Sequence, residues 1–193
     1  MKRVVFVLPG FKHSPDRKIY KNVILAFESK GIKSIPVKIN WEHRTISQIN
    51  EDFLKEYNSV SAEEKYLFGF SFGAVIALIT STKVYPKAQI LCSISPYFKE
   101  DLPFIFKSWK KMIGKKRMED FKNLSISDFA PKVKTETYLL YGTKETKFIE
   151  KRAKDTFGKL RSKRHLVAVD SARHDIGNPR YLDEIKKVVS SLN

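Results

Sequence analysis

Gly69-Phe70-Ser71-Phe72-Gly73 sets one serine between two glycines, straight after the apolar run Lys65–Phe70 and just before Val75, Ile76, Leu78 and Ile79. A serine hydroxyl in such a place can attack an electrophilic carbonyl if a nearby base takes its proton. At ordinary glycine and serine frequencies G-x-S-x-G arises by chance in roughly one chain of this length in fifteen. The pentapeptide alone therefore decides little, and its setting decides more. A strand running in and a helix running out hold the serine on a sharp turn. Unpaired N–H groups and the positive end of the helix dipole then lie beside it, suited to a developing oxyanion. The plain alternative is a serine that only caps the helix. Four histidines, His13, His43, His165 and His174, could supply the base, and Glu145, Asp170 and Asp175 are the carboxylates near candidate loops.

These groups must be positioned by regular elements. Short β-branched or aromatic runs at Arg3–Leu8, Lys33–Ile39, Lys65–Phe70, Gln89–Ile94, Thr137–Tyr141 and His165–Val169 read as strands. Several are almost wholly apolar, as strands covered on both faces of a parallel sheet must be. Segments of helical period separate them. Ile19, Val23, Ala26 and Phe27 form one stripe, ended by Gly31, and Thr45 with Gln48 fits a capping box before Ile49 and Phe53. Pro179 opens the last helix. Repeated βα units predict an α/β three-layer sandwich in which residues 1–193 form one domain. In such a fold chemistry gathers beyond the carboxyl ends of the strands. Pro9-Gly10-Phe11, the serine turn, Gly142-Thr143-Lys144-Glu145 and Asp170-Ser171-Ala172-Arg173-His174 all follow strands and should share one edge.

Residues 97–134 break the rhythm: they offer no strand and exceed an ordinary connection, so they read as a helical, cap-like insertion after the fourth strand. Asp101 is placed to cap a helix running to Gly114, with Leu102, Ile105, Phe106, Trp109 and Ile113 on one face. Lys107, Lys110 and Lys111 lie on the other, followed by Lys115, Lys116 and Arg117. Phe104, Phe106 and Trp109 could line a substrate pocket or simply pack in the core.

The formal charge is +16, from 37 Lys and Arg against 21 Asp and Glu. That balance favours anionic partners, whether an acidic substrate, a membrane surface or nucleic acid, although lysines spread along the whole chain also fit a generally basic surface. No zinc-ligand set, Walker loop or nucleic-acid motif is present, which argues against a metal, a cofactor or nucleic acid. The lone Cys92, in an apolar run, excludes an internal disulfide and reads as a buried thiol in a reducing cytoplasmic setting. The opening Met1-Lys2-Arg3 and its five apolar residues end at Pro9-Gly10, too soon for a secretory leader.

Taken with its context, GFSFG resembles the nucleophile elbow of the α/β-hydrolase superfamily, and the resemblance extends over essentially the whole chain. It implies a compact member lacking the family's first two strands, with six parallel strands in the order 2-1-3-4-5-6. It implies Ser71 as nucleophile and His174 as general base. Glu145, three residues past Gly142 where the family commonly has aspartate, becomes the orienting acid, with Asp170 the alternative. The backbone N–H groups of Phe11 and Phe72 would form the oxyanion hole, although Pro9-Gly10 stands where many relatives carry His-Gly. The implied activity is serine hydrolysis of a carboxylic ester or acyl thioester. A basic binding protein that retains only the fold is the competing expectation.

Overall fold

A computed structural model describes residues 2–192. Among them, β1 (Arg3–Leu8), β2 (Lys33–Pro36), β3 (Glu64–Phe70), β4 (Ala88–Cys92), β5 (Glu136–Gly142) and β6 (Arg164–Val169) form one sheet. Its order is β2-β1-β3-β4-β5-β6, and every neighbouring pair is parallel. The predicted order is the observed one. β2 ends at Pro36, three residues short of the expected Ile39, and its last tie to β1 is the Val37 N–H donating to the Val7 carbonyl at 3.0 Å.

The sheet order dictates where the helices lie. From β1 the chain steps outward to β2, and every later crossing runs the other way. With one crossover handedness, α1 (Lys18–Glu28) must cover the opposite face from α2 (Ile46–Ser59), α3 (Phe72–Thr80) and α7 (Lys147–Lys159). The two cores show this division. Val5, Val7, Phe68 and Leu140 pack with Tyr20, Val23 and Phe27 of α1 and with Tyr181 and Ile185 of α8 (Pro179–Ser191). Val4, Phe6, Leu67 and Leu139 face Ile49 and Phe53 of α2, all of α3's apolar residues, and Ile149 and Ala153 of α7. The direction of winding reverses between β1 and β3, so a crevice opens beyond their carboxyl ends.

The helix signals hold where local chemistry decides. Thr45 and Gln48 form the reciprocal capping box, Gly31 takes a left-handed φ of 70°, and Asn178 caps α8 just before Pro179. Cys92 is buried and free, and burial pushes its thiol well above the ordinary range. No helix among the described residues is long and apolar enough to cross a membrane.

The insertion corrects one expectation. No single helix runs from Asp101 to Gly114. A 3-10 turn spans Lys99–Phe104, an extended link follows at Ile105 and Phe106, and α4 covers only Lys107–Ile113. Pro103 interrupts regular helical bonding, and the Asp101 carboxylate accepts from the Phe98 N–H and from Arg152 of α7. The expected apolar face breaks up accordingly: Ile113 is buried, whereas Phe106 and Trp109 lie open to solvent. Gly114, at φ 92°, turns the chain into α5 (Lys115–Phe121), and α6 (Ile126–Phe129) follows. Glu100 anchors α6 by accepting from Ser125 Oγ and the N–H groups of Ile126 and Ser127. Burial pushes its carboxyl up, but these bonds outweigh burial and hold it at about 2.

Candidate active site

β3 ends at Phe70, and the next residue, Ser71, takes φ 57° and ψ −116° before α3 begins. A non-glycine residue there is strained and persists only where its surroundings over-determine it. Those surroundings are tight. A Cβ on Gly73 would lie 2.2 Å from the Leu8 carbonyl oxygen, and one on Gly69 2.5 Å from the Gly73 carbonyl oxygen. Only glycine lets strand and helix meet this closely. The Ser71 N–H donates to the Cys92 carbonyl at 2.9 Å, which ties the turn to the end of β4.

Around this serine the strand-end loops converge. His174 Nε2 lies 3.0 Å from Ser71 Oγ, and His174 Nδ1 lies 2.9 Å from Glu145 Oε1. A carboxylate can only accept, so Nδ1 carries the proton and Nε2 is left to accept from the serine hydroxyl. The Glu145 side chain is fully buried, while the imidazole remains partly exposed. The other carboxylate oxygen of Glu145 accepts from the Gly142 N–H at 3.2 Å. Gly142 also lets the two loops meet: a Cβ there would sit 2.3 Å from the Ala172 carbonyl oxygen. That same carbonyl accepts from the Lys144 N–H, and Thr143 Oγ1 accepts from the Ser171 N–H. Phe70 packs against the His174 ring at 4.9 Å between centroids.

The rival carboxylates are engaged elsewhere. Asp170 faces Arg180 and Ser171 at the surface, and Asp175 caps the turn at Gly177. His165 stacks on Tyr138 and bonds Glu136 at the sheet's far edge, while the His43 carbonyl accepts from Lys116. His13 does reach the crevice, but its Nδ1 lies 3.0 Å from the Tyr20 hydroxyl. Burial first, then the charges of Arg17 and His174, pushes the His13 imidazole below its ordinary value, which favours the neutral ring. The Tyr20 hydroxyl also accepts from the Gly10 N–H at 2.8 Å. Donation from Tyr20 to Nδ1 then completes a bridge that fixes the loop leading to Phe11.

Phe11, which follows Gly10, and Phe72, the first residue of α3, line the same crevice as Ser71 and His174. Their rings pack together at 5.3 Å between centroids. Phe104, Phe106 and Trp109 line the same crevice, of about 580 Å³, but as an open rim and not a closed pocket. Among the described residues no group of three or more His, Cys, Asp or Glu is placed to hold a metal ion.

Two contributors escaped the sequence reading. Ser95 is buried with its Oγ 2.9 Å from Ser71 Oγ, and Tyr20 supports the Gly10 loop from α1. Ser95 follows β4, so the strand-end rule that singled out the other loops also reaches it. Tyr20 sits on a helix in an apolar stripe and carried no signal beyond core packing.

No family profile matches the chain, and a comparison with curated proteins finds no relative. Solved structures do match. The chain is similar to the esterase Est1E from Butyrivibrio proteoclasticus at TM-score 0.81 and 13% identity, covering 97% of this chain and 85% of that one. It is similar to mouse alpha/beta hydrolase domain-containing protein 10 at TM-score 0.81 and 12% identity, covering 98% and 88%. A monoacylglycerol lipase from Paleococcus ferrophilus matches at TM-score 0.74 and 15% identity, covering 98% and 93%. At these identities the likeness defines the architecture: the chain has the α/β-hydrolase fold.

Proposed function

We propose that the protein is a serine hydrolase that cleaves a carboxylic ester through an acyl-enzyme on Ser71. The observation that carries this reading is the unbroken relay from Glu145 through His174 to Ser71, at 2.9 and 3.0 Å, on the floor of a largely apolar crevice.

In the first half-reaction the Ser71 oxygen bonds to the ester carbonyl carbon while His174 Nε2 takes its proton. The carbonyl π pair moves onto oxygen, where the N–H groups of Phe11 and Phe72 meet the charge. Glu145 stabilises the imidazolium and keeps the ring oriented. Collapse of the tetrahedral intermediate breaks the bond to the alcohol oxygen, which leaves with the proton from Nε2. A water, deprotonated by the same nitrogen, then attacks the acyl-enzyme and frees the acid and Ser71. Ser71 has one proton and directs it to His174, so the Ser95 hydroxyl donates to a lone pair of the Ser71 oxygen and holds its rotamer toward the base. Similarity in fold to an esterase and a lipase supports hydrolysis in general.

Fluorophosphonate labelling tests the reading. Wild type should become covalently labelled, and Ser71→Ala should lose both labelling and about 10⁴–10⁶ of the turnover of an activated ester. Labelling that persists in Ser71→Ala overturns the proposal. A matched acyl thioester in the same panel separates esterase from thioesterase, because the relay is common to both.

A further inference from the structure

Four of the six large apolar side chains exposed among the described residues fall together, with Leu25 and Tyr85 lying elsewhere. Phe104, Phe106, Trp109 and Met112 are each about half exposed or more, lie within nine residues of one another, and border the crevice above Ser71. Isolated exposed apolar residues need no explanation, whereas a contiguous group around a functional opening marks a surface that meets something apolar. Basic residues share the same segment. Residues 97–134 hold ten Lys and Arg against five Asp and Glu. Lys110, Lys111, Lys115 and Lys122 line a second, open groove of about 540 Å³ on the flank of the insertion. Lys122 pairs with Glu119. Lys110, Lys111 and Lys115 face no carboxylate within salt-bridge distance among the described residues.

α4 carries both kinds of side chain. Trp109, Met112 and Ile113 occupy one half of its circumference, and Lys107, Lys110 and Lys111 occupy the other. Ile113 is buried against the core and holds the helix down, leaving Trp109 and Met112 at the rim.

From this juxtaposition we infer that the insertion is a docking surface for an anionic lipid bilayer, with the mouth of the crevice facing the membrane. A bilayer satisfies both halves of the surface at once: the apolar rim enters the acyl boundary, and the lysines meet lipid phosphates. A nucleic acid would meet the lysines but leave the Met112 and Phe104 side chains without an apolar partner. Docked in this way, the enzyme draws an acyl ester directly from the leaflet into the crevice. That last step rests on the proposed ester hydrolysis, whereas docking itself does not.

Sedimentation with vesicles tests the docking, using wild type and Ser71→Ala in parallel. Both should bind vesicles made of equal parts phosphatidylcholine and phosphatidylglycerol, and bind pure phosphatidylcholine at least tenfold more weakly. Trp109 emission should shift to the blue on binding, while Trp41, already buried, adds a constant background. Lys110→Glu with Lys111→Glu should weaken binding more than tenfold, since each lysine near an anionic surface contributes about a fivefold factor. Lys21→Glu with Lys30→Glu makes the same change in net charge from the exposed side of α1 and its C-terminal end and should retain binding, with thermal melts confirming that both pairs fold. Equal losses in the two pairs would reduce the effect to overall charge and overturn the inference. So would tighter binding to single-stranded DNA than to the anionic vesicles, or no vesicle binding at all. Vesicle binding in a protein that no fluorophosphonate labels would sink the hydrolase reading and leave docking standing; labelling without vesicle binding would do the reverse.

Discussion

The strand-end loops and the insertion face each other across one crevice and are built on opposite principles. The loops are held by backbone. Ser71 sits at positive φ between glycines that admit no Cβ, and Gly142 lets the Glu145 and His174 loops touch. The insertion is held by side chains: a buried Arg152–Asp101 pair, the Glu100 anchor, and the packing of Ile113 and Phe121. Its outer aromatics are about half exposed or more, with Phe106 meeting Phe148 edge-on at 5.7 Å between centroids. Backbone fixation holds the Ser71, His174 and Glu145 side chains in register, which the proposed acyl transfer needs. Side-chain anchoring with an open rim suits a surface that must accept varied apolar material.

The contrast can be broken from either side. The largest effect is expected from Gly73→Ala. Its Cβ has no room beside the Leu8 carbonyl, so unfolding free energy should fall by about 3 kcal/mol or more, read from urea melts, and ester turnover should fall with it. Asp101→Ala strands the buried Arg152 guanidinium and should cost about 3 kcal/mol. Its signature is a lower melting temperature together with a raised KM, since the insertion loses its tie to α7. An unchanged melt would show that the pair does not anchor it.

Smaller effects sharpen the comparison. Ser95→Ala should lower kcat about tenfold, the scale of one hydrogen bond, with KM nearly constant and partial recovery in Ser95→Thr. A change in KM alone would assign Ser95 to substrate contact instead. Phe106→Ser should alter stability by less than about 0.5 kcal/mol, because the ring is mostly exposed, while weakening hydrolysis of long-chain more than short-chain esters. A large loss of stability would make Phe106 a packing residue.

Much of this architecture could be read along the chain. Apolar runs alternating with helical stripes carried the parallel sheet, the resemblance to the α/β-hydrolase superfamily implied its order, and the glycines around Ser71 carried the sharp turn. The helix expected from Asp101 onward shows where such reading stops. Its periodicity was right in the abstract, but Pro103 and the use of the Asp101 carboxylate by Arg152 lie outside any periodic signal. Choosing among the carboxylates was likewise a matter of three dimensions. Asp170 and Glu145 both follow strands, and only the fold turns one toward Arg180 and the other toward the imidazole.

The sequence by itself determined the elements and the strand ends at which polar residues gather, because hydrophobic periodicity and glycine sterics act over a few residues. Tertiary structure decided which side chains meet: Ser95 with Ser71, Tyr20 with the Gly10 loop, and aromatics that look like core but line a rim. Hydrogen bonds and exposure are set by distances between residues far apart in the chain, and those distances exist only once the sheet has brought its loops to one edge.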